Sequence, residues 1–390
     1  MREEEGQGGG RPAAAGRRRT LLCFSHLRWE FVFQRPQHLL TRAAAVMRVI
    51  YWEEPVWLED TALRLHTRLS PEGVLIVQPH LPWGADPDAA QRRLLDAMLR
   101  DPMLGDGGIA DPILWYYTPT ALAFSDHLKA PVTVYDCMDE LSAFAGADPS
   151  LPAREQALLR RAGLVFTGGH SLYEAKRRGH ENVHAFPSGV DAAHFQPARD
   201  GLADPADQAR IPRPRVGFYG VLDERLDMDL LAAVADLRAL VQFVLIGPTA
   251  KLAPGALPAR PNLHYLGAKP YAALPGYVSN WQAAIMPFAI NEATRFISPT
   301  KTPEYLAAGL PVVSTPIADV VRQYGGCPGV QVAGTPPGFA ACVDGALALA
   351  PASWQPAADA LLAGMSWDAI WAAMAALVGR LAAEAVSPGR

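Results

Sequence analysis

Short runs of apolar residues alternate with longer amphipathic segments along most of the chain. The runs that predict buried strands are Thr20–Phe24, 49–52, 74–77, 113–117, 132–135, 164–167, 215–219, Gln242–Ile246, 262–267, 281–288 and 312–313. Helix-forming segments such as 89–99, 121–128 and 152–161 lie between them. This alternation predicts parallel strands joined by crossover helices, which is the α/β class.

A proline-rich segment divides the chain into two parts. Residues 196–214 carry four prolines together with Asp, Gly and Arg, and this composition predicts a linker. The linker separates a predicted N-terminal domain, 20–195, from a predicted C-terminal domain, 215–365. The last segment, 366–390, predicts a serine-capped amphipathic helix. Residues 1–19 carry Gly, Pro and charge but almost no core-forming side chains, so they predict a disordered tail.

Composition and charge narrow the class of protein. Half of the 390 residues are hydrophobic and 19% are charged, which predicts a globular chain with room for two cores. The net charge of −4, without a basic stripe, gives no case for nucleic acid as a partner. The four cysteines are scattered without metal-ligand spacing, which suits a reducing cytoplasm. No metal site is therefore expected.

The relation to a membrane is predicted from the same composition. No apolar run reaches the ~18 residues of a membrane span. The tail lacks the apolar centre of a signal peptide, so a cytoplasmic location is expected. The basic run at 17–19 is either solvated or in contact with anionic lipid, which leaves open a peripheral contact with the inner face of the membrane.

The most informative stretch is 298–315, which predicts a helix followed by a buried strand. Ser298, Thr300 and Thr302 are alternative N-caps, so the start of the helix is ambiguous by one turn. Gly309 fits the position after the last helical residue, and the β-branched run that follows it predicts the strand.

Lys301 and Glu304 lie three residues apart and therefore on one face of this helix. The N-terminus of a helix exposes free amides and a positive dipole end, which favour an anion. A cation there can meet phosphate, and a carboxylate can accept hydrogen bonds from vicinal hydroxyls. Phosphate and diol together predict a nucleotide; a capped surface helix with solvated side chains is the alternative.

The pattern Lys-x-x-Glu-Tyr-Leu-Ala-Ala-Gly-x-Pro-Val-Val resembles the nucleotide-sugar motif of GT-B glycosyltransferases, in particular the family 4-like enzymes. The resemblance implies that Glu304 holds the donor ribose and that Lys301 faces the diphosphate, with Ser298 and Thr300 beside them. One position departs from the commoner motif, which has a second glutamate where this chain has Phe296. The equivalent sugar contact is therefore either absent or supplied by a shifted loop.

Two glycine turns in the second domain follow predicted strands. Gly220 allows close approach of the backbone to a ligand, and Gly247 with Pro248 is placed to pack against a base or phosphate. Arg225 follows the first turn and is available to a diphosphate oxygen, where the resembling transferases place a basic residue. A surface ion pair with a nearby aspartate is the alternative for Arg225.

A loop at 289–297 is expected to reach over the donor sugar. Its polar residues are Asn291, Glu292, Thr294 and Arg295. At least one of them is expected to contact the sugar, although the sequence does not distinguish which.

Polar residues also follow strands of the first domain. Loops at the carboxyl ends of strands line the crevice of a doubly wound sheet, so His26 and Arg35 are expected to face a ligand. A carboxylate at Asp139 can orient or deprotonate an acceptor hydroxyl. Helix capping is the alternative for Asp139, and Asp136, closer to its strand, is expected to cap a turn. The run from His26 to His38, which includes Gln-Arg-Pro-Gln-His, is similar to the opening of bacterial cell-wall glycosyltransferases of the teichuronic acid type.

The resemblance implies a GT-B fold, with two Rossmann-like domains facing an interdomain cleft and a last helix that crosses back to the first domain. It implies transfer of a sugar from a nucleotide diphosphate sugar, with UDP as the expected nucleotide, to a cell-surface glycan or lipid-linked acceptor. Retention at the anomeric carbon is expected. Lys301, Arg225 and helix amides would stabilise the leaving group in place of a metal, and no cofactor is expected.

Two other functions stay open at this point. A sugar-nucleotide 2-epimerase shares the architecture but needs further carboxylates and histidines around the donor sugar. A catalytically silent GT-B module that binds glycan or a partner transferase is favoured by the missing glutamate at Phe296. If the transfer inverts the anomeric carbon, Asp139 is the leading candidate for the base.

Overall fold

The computed structural model describes residues 18–59, 62–104, 109–253 and 255–386. The predicted disordered tail, 1–19, lies outside the described residues apart from Arg18 and Arg19. The predicted α/β class is confirmed, because the described strands form two separate sheets in which parallel pairing dominates.

The first sheet contains β1 Thr20–Phe24, β2 Arg48–Trp52, β3 Val56–Leu58, β4 Arg64–Leu69, β5 Val74–Pro82, β6 Ile113–Tyr116, β7 Val132–Cys137, β8 Leu164–Thr167 and β9 Val183–Ala185. Their order is β3-β5-β2-β1-β6-β7-β8-β9, and β4 pairs with β5. The β4–β5 pair is antiparallel, whereas the neighbouring pairs are parallel. Alternate residues of β1 enter different cores, Leu21 and Cys23 on one face and Leu22 and Phe24 on the other. The sheet is therefore covered on both faces.

Strands β3, β4 and β9 of this sheet have no counterpart among the predicted strands. Every residue of β4 is exposed or half-buried, and its sequence Arg-Leu-His-Thr-Arg-Leu has no apolar run to signal a strand. The strand forms because β5 continues to Pro82, beyond the predicted end at 77, and offers β4 a long antiparallel partner. Tertiary pairing thus outweighs the local pattern.

The second sheet contains β10 Arg215–Tyr219, β11 Gln242–Ile246, β12 Leu263–Tyr265, β13 Ala283–Met286, β14 Val312–Ser314 and β15 Val330–Val332. Its order is β12-β11-β10-β13-β14-β15, and the described pairs are all parallel. Each of these strands except β15 lies at a predicted apolar run.

The helices of the described residues pack around these sheets. They are α1 Arg35–Val46, α2 Pro87–Arg100, α3 Leu122–Ser125, α4 Leu151–Arg161, α5 His170–Lys176, α6 Ala192–Phe195, α7 Met228–Leu237, α8 Leu274–Val278, α9 Lys301–Ala307, α10 Ala318–Tyr324, α11 Pro336–Ala348, α12 Gln355–Leu362 and α13 Trp367–Val386. None of them is long and apolar enough to cross a membrane.

Each sheet has a switch point where the strand order reverses. Strand β1 lies between β2 and β6, and β10 lies between β11 and β13. Loops that leave the carboxyl ends of strands beside such a point diverge and leave a crevice between them. The two domains face each other across these crevices, which positions the candidate site.

The last helix, α13, belongs to the core of the first domain, as predicted. Trp367, Trp371, Met374 and Val378 are buried in the same cluster as alternate residues of β1, β6 and β7. At the start of α13, Trp367 stacks on His38 of α1 with ring centroids 4.6 Å apart. The chain therefore crosses between the domains twice.

Residues 196–214, the predicted linker, pack on the second domain. Ala198 and Ile211 are buried in the second core. The guanidinium of Arg215 contacts the Asp204 carboxylate at 2.6 Å, and Arg199 donates to the carbonyl oxygens of Leu306 and Ala307. These contacts hold the connection against the sheet that follows it.

A carboxylate from the second domain caps a helix of the first domain. Asp319 of α10 is 1% exposed, and its Oδ1 accepts hydrogen bonds from the Ser171 amide at 3.0 Å and the Ser171 hydroxyl at 2.5 Å. A Cβ at Gly169 would lie 2.1 Å from Asp319 Oδ2, so the glycine makes this approach possible. The contact fixes α5 against α10 beside the interdomain crevice.

Ser171→Ala is expected to lower the free energy of unfolding by about 1–2 kcal/mol, because the buried Asp319 carboxylate loses its hydroxyl donor. Urea unfolding at neutral pH measures the change. Ser142→Ala is the matched control, since Ser142 is exposed and its hydroxyl contacts Glu140 at the surface. Equal stability of both variants would mean that solvent reaches the interdomain contact and replaces the hydroxyl.

Candidate active site

A cavity of about 730 Å³ opens between the two domains. It is lined by residues that directly follow strand ends, among them Asp139 after β7, Gly220 after β10 and Gly247 after β11. Ten of the residues expected to face a ligand line it: Arg35, Asp139, Gly220, Arg225, Gly247, Pro248, Ser298, Thr300, Lys301 and Glu304. The fold thus brings the donor-side candidates from three separate segments, 220–225, 247–248 and 298–304, to one place.

Helix α9 places two of these side chains in the cavity. It begins at Lys301 with Thr300 as the residue before it, which settles the ambiguity of the predicted start. Thr302 is fully buried and donates to the Met286 sulfur, so it is a packing residue. The helix ends before Gly309, whose φ of +80° is the left-handed conformation expected at this position.

Lys301 is the unpaired cation of the cavity. The other cations that line it each contact a carboxylate: Arg35 contacts Asp136 at 2.9 Å, Arg225 contacts Asp223 at 2.7 Å and Lys269 contacts Asp207 at 2.7 Å. Lys301 has no ion-pair partner within the described part of the chain, and burial lowers the pKa of its ammonium group. Lys301 is half-buried, and a partly desolvated cation without an ion-pair partner favours an anionic ligand at this position.

Glu304 lies one turn into α9 and is 5% exposed. Its Oε2 accepts a hydrogen bond of 2.5 Å from the Tyr219 hydroxyl, and the Tyr219 amide donates to the Tyr305 hydroxyl at 2.9 Å. Burial raises the pKa of Glu304 to about 7, against the opposing effects of the Lys301 charge and the Tyr219 hydrogen bond. The second carboxylate oxygen is free to accept from the hydroxyls of a ligand.

Gly220 and Gly247 leave room that any other residue would fill. A Cβ at Gly247 would lie 1.7 Å from the Gly220 carbonyl oxygen, and one at Gly220 would lie 2.4 Å from Lys301 Cε. The φ angles of Gly220 (+148°) and Gly247 (+150°) are also unfavourable for residues with a side chain. The Lys301 side chain therefore crosses directly over the Gly220 backbone.

Gly220→Ala is expected to displace the Lys301 ammonium group and to weaken binding of a nucleotide diphosphate about tenfold, which corresponds to about 1.4 kcal/mol. Calorimetric titration with UDP measures the affinity, and urea unfolding reports the accompanying backbone strain. Gly326→Ala is the control, because a Cβ there meets no atom within 4 Å. Unchanged affinity in Gly220→Ala would show that Lys301 does not depend on this glycine for its position.

Arg225 reaches the cavity with part of its charge already neutralised. Its Nε donates to both carboxylate oxygens of Asp223, at 3.0 Å and 3.1 Å, and its Nη2 donates to Asp223 Oδ2 at 2.7 Å. Asp227 instead caps α7 by accepting from the Leu230 amide. The guanidinium carbon also lies 5.8 Å from the centroid of Phe144 in the first domain. Asp223 thus orients Arg225 toward the interdomain space. The sequence analysis did not identify Asp223 as a site residue.

The first-domain candidates occupy different positions. Asp139 lines the cavity and is half-buried. His26 does not line the cavity. Burial lowers the pKa of its imidazole, although the nearby Asp139 charge acts in the opposite direction. Its Nδ1 is buried without a hydrogen-bond partner among the described residues. Asp136 does not cap a turn, because its carboxylate pairs with the buried guanidinium of Arg35. The guanidinium of Arg35 is therefore occupied by this structural ion pair, although Arg35 lines the cavity.

The polar residues of the 289–297 loop do not line the cavity. Asn291 and Thr294 bond to each other, and Thr294 also bonds to the Ala289 carbonyl oxygen, which closes the loop as a turn. Glu292 and Arg295 form an exposed pair at 3.5 Å. Phe296 packs against the core of the first domain, and the cavity wall resumes with Ile297 and Ser298.

Aromatic residues from both domains close one side of the cavity. Phe33 of the first domain stacks on Tyr271 of the second with centroids 4.7 Å apart, and His194 stacks on the same ring at 4.2 Å. Tyr271 and Phe33 both line the cavity. No group of three His, Cys, Asp or Glu side chains among the described residues is arranged to hold a metal ion.

Comparison with known proteins agrees with this geometry. Residues 213–348 match the family described as Glycosyl transferases group 1. The Bacillus subtilis protein TuaH, named for glycosyl transfer in teichuronic acid biosynthesis, is 25% identical over 218 residues, which cover 52% of this chain and 55% of TuaH. The chain therefore matches about half the length of this curated relative.

Solved structures share the fold over nearly the whole chain. Sucrose-phosphate synthase from Thermosynechococcus elongatus superposes with a TM-score of 0.68 at 16% identity and covers 94% of this chain and 100% of its own. A UDP-forming trehalose-phosphate synthase from Burkholderia xenovorans, in complex with glucose-6-phosphate, gives 0.65 at 12% identity with 93% and 100% coverage. The Escherichia coli trehalose-6-phosphate enzyme bound with UDP-2-fluoro glucose gives 0.63 at 13%, with 93% and 99%. The GT-B fold and the resemblance to GT-B glycosyltransferases are confirmed.

Proposed function

We propose that this protein transfers a glycosyl unit from a nucleotide diphosphate sugar, with UDP as the nucleotide, to a saccharide or lipid-linked acceptor. The observation that carries the proposal is the pairing of Lys301 and Glu304 in the interdomain cavity. One is a half-buried cation that has no ion-pair partner among the described residues, and the other is a buried carboxylate with one oxygen available to accept further hydrogen bonds. Diphosphate and ribose diol are the two groups that such a pair would bind.

Each donor-side residue has a defined part in this proposal. The diphosphate lies against Lys301 and Arg225, over the backbone of Gly220 and Gly247, where no side chain obstructs it. The ribose hydroxyls donate to Glu304. As the bond from the anomeric carbon to the β-phosphate oxygen breaks, its electron pair goes to the diphosphate, and the two cations stabilise the added charge without a metal ion.

The acceptor approaches from the first domain. Its hydroxyl oxygen forms the new bond to the anomeric carbon and loses its proton. In the retaining reaction that we propose, the proton passes to the departing diphosphate; in an inverting reaction, Asp139 would take it. A solved relative binds UDP-2-fluoro glucose and another binds glucose-6-phosphate, which supports a donor and an acceptor meeting in one cleft. A cytoplasmic location at the inner face of the membrane is part of the same proposal.

Nucleotide selectivity tests the proposal directly. Since a ligand that binds only the folded protein raises its melting temperature, UDP is expected to raise it more than ADP, CDP or GDP. Incubation with UDP-sugars is then expected to release UDP slowly by hydrolysis, and faster with an acceptor. Appearance of a free sugar epimer would instead support a 2-epimerase. Absence of nucleotide binding would support a catalytically silent module. The loss of activity would then be explained by Phe296, which packs against the core of the first domain at the position where the commoner motif has a glutamate.

A further inference from the structure

The first-domain wall of the cavity is aromatic and apolar near its mouth. Trp29, Phe31 and Phe33 come from the segment between β1 and α1, and Leu69 comes from the end of β4. Phe31 is 50% exposed and Leu69 is 69% exposed, so both present apolar surface to whatever enters. Lys301 and Glu304 of the second domain line the same cavity.

The charges on this wall are negative. Glu30, Glu72 and Asp139 line it, whereas its single described cation, Arg35, is 2% exposed and bound to Asp136 and to the Phe186 carbonyl oxygen. Arg68, next to Leu69 in sequence, is held between Glu30 at 2.9 Å and Glu53 at 3.1 Å, and Arg28, next to Trp29, contacts Glu53 at 3.6 Å. Among the described residues that line this side, no cation is therefore available to a phosphate group.

We propose that this wall is an acceptor subsite for an uncharged saccharide, and that it disfavours sugar phosphates. The inference rests on the proposed function, because it assigns the acceptor class for the same cavity. The apolar face of a sugar ring can pack on Phe31 and Leu69, while its hydroxyls donate to the carboxylates of Glu30, Glu72 and Asp139. A phosphorylated sugar would meet the carboxylates of Glu72 and Asp139 and no free cation on this wall, which is an arrangement that selects against it.

The contrast between the two walls strengthens the assignment. The second-domain wall carries Lys301 and Arg225, which suit the diphosphate of a donor. The first-domain wall has the opposite sign, so an anionic acceptor gains nothing by entering there. The two sides of one cavity are thus suited to ligands of different charge, and the acceptor is the neutral one.

UDP release from a UDP-sugar that the protein hydrolyses would be measured with two kinds of acceptor. Methyl glucoside, methyl galactoside and methyl mannoside are uncharged probes, and glucose 6-phosphate is the anionic probe. At least one methyl glycoside is expected to accelerate UDP release, and glucose 6-phosphate is not. Acceleration by glucose 6-phosphate equal to or above that of the glycosides would overturn the proposal, as would the failure of every glycoside to accelerate release.

Variants separate the subsite from general effects. Phe31→Ala is expected to raise the KM for the glycoside about tenfold, in line with the loss of about 1.4 kcal/mol of ring contact. Glu72→Lys supplies a cation and is expected to produce a response to glucose 6-phosphate. Trp83→Ala is the matched control, because Trp83 is 68% exposed, stacks on Trp57 and does not line the cavity. Equal effects of Phe31→Ala and Trp83→Ala would also contradict the proposal.

Failure of the proposed function would be recognised separately. If no nucleotide binds and no UDP-sugar is hydrolysed, saturation-transfer NMR with the methyl glycosides still tests the wall. Transfer to a methyl glycoside that is lost in Phe31→Ala would retain the subsite as a glycan-binding surface. Stronger transfer to glucose 6-phosphate than to every methyl glycoside would reject it.

Discussion

Lys301→Ala is expected to lower UDP-sugar turnover by about 10²–10³-fold, the usual effect of removing one preorganised group that stabilises a developing negative charge. The reason is that Lys301 lines the cavity and that no carboxylate within the described part of the chain forms an ion pair with it. The other donor-side cation, Arg225, already shares its charge with Asp223 and cannot fully replace it. The loss should fall mainly on kcat, since the charge on the diphosphate grows as the glycosidic bond breaks.

UDP release at saturating donor measures this loss, together with the melting temperature of the variant to exclude unfolding. Lys129→Ala is the control, because Lys129 is exposed and lies outside the cavity. Lys301→Arg is expected to restore little, since the Lys301 stem already passes close over Gly220 and leaves no space for a larger group. A folded Lys301→Ala variant with turnover within tenfold of the original would place the diphosphate elsewhere.

The donor half of the cavity could be anticipated because its signals are local. Lys301 and Glu304 are one turn apart on a capped helix, and Gly220 and Gly247 each end an apolar strand. Short-range periodicity and turn chemistry fix such positions before any long-range contact is considered. For the same reason most strands were predicted close to their observed bounds, whereas β3, β4, β9 and β15 were not predicted and β5 extends five residues beyond its predicted end.

The remaining features depend on contacts between distant segments. Asp136 was expected to cap a turn, but its partner Arg35 is 101 residues away in sequence and reaches it only in the folded sheet. Asp319 likewise binds Ser171 across 148 residues. No local pattern indicates such pairs, so a single sequence cannot distinguish a surface aspartate from a buried one.

The loop at 289–297 shows how polarity alone can mislead. Asn291, Glu292, Thr294 and Arg295 were candidates because polar residues in a loop beside a crevice often contact ligand. In the structure, the first and third close the turn by bonding to each other, and the other two pair at the surface. The aromatic wall was missed for the converse reason, since Phe31 and Phe33 carry no polar group that would mark them as ligand contacts, although both line the cavity.

Glu304 is expected to make stability and donor binding respond to pH in opposite directions. Burial raises its pKa to about 7 from the ordinary value of 4.5. The folded protein therefore holds a proton that the unfolded chain releases, and stability from this group is lost as the pH rises through 7. Between pH 6 and pH 8 the free energy of unfolding should fall by about 1.4 kcal/mol from this residue. Ribose hydroxyls donate to the ionised carboxylate, so the affinity for UDP-glucose should rise about tenfold over the same interval.

Chemical unfolding and calorimetric titration with UDP-glucose, each at pH 6, 7 and 8, measure the two trends. UDP-glucose is preferred to UDP because its diphosphate carries no group that titrates in this interval. Glu304→Gln should remove both pH dependences, and Glu181→Gln, at an exposed position, should keep them. At higher pH the affinity should fall again, because the pKa of Lys301 is lowered and its ammonium group loses its proton there. An affinity profile shared by the original protein and Glu304→Gln would assign the ribose contact to another residue, because the glutamine side chain does not titrate in this interval.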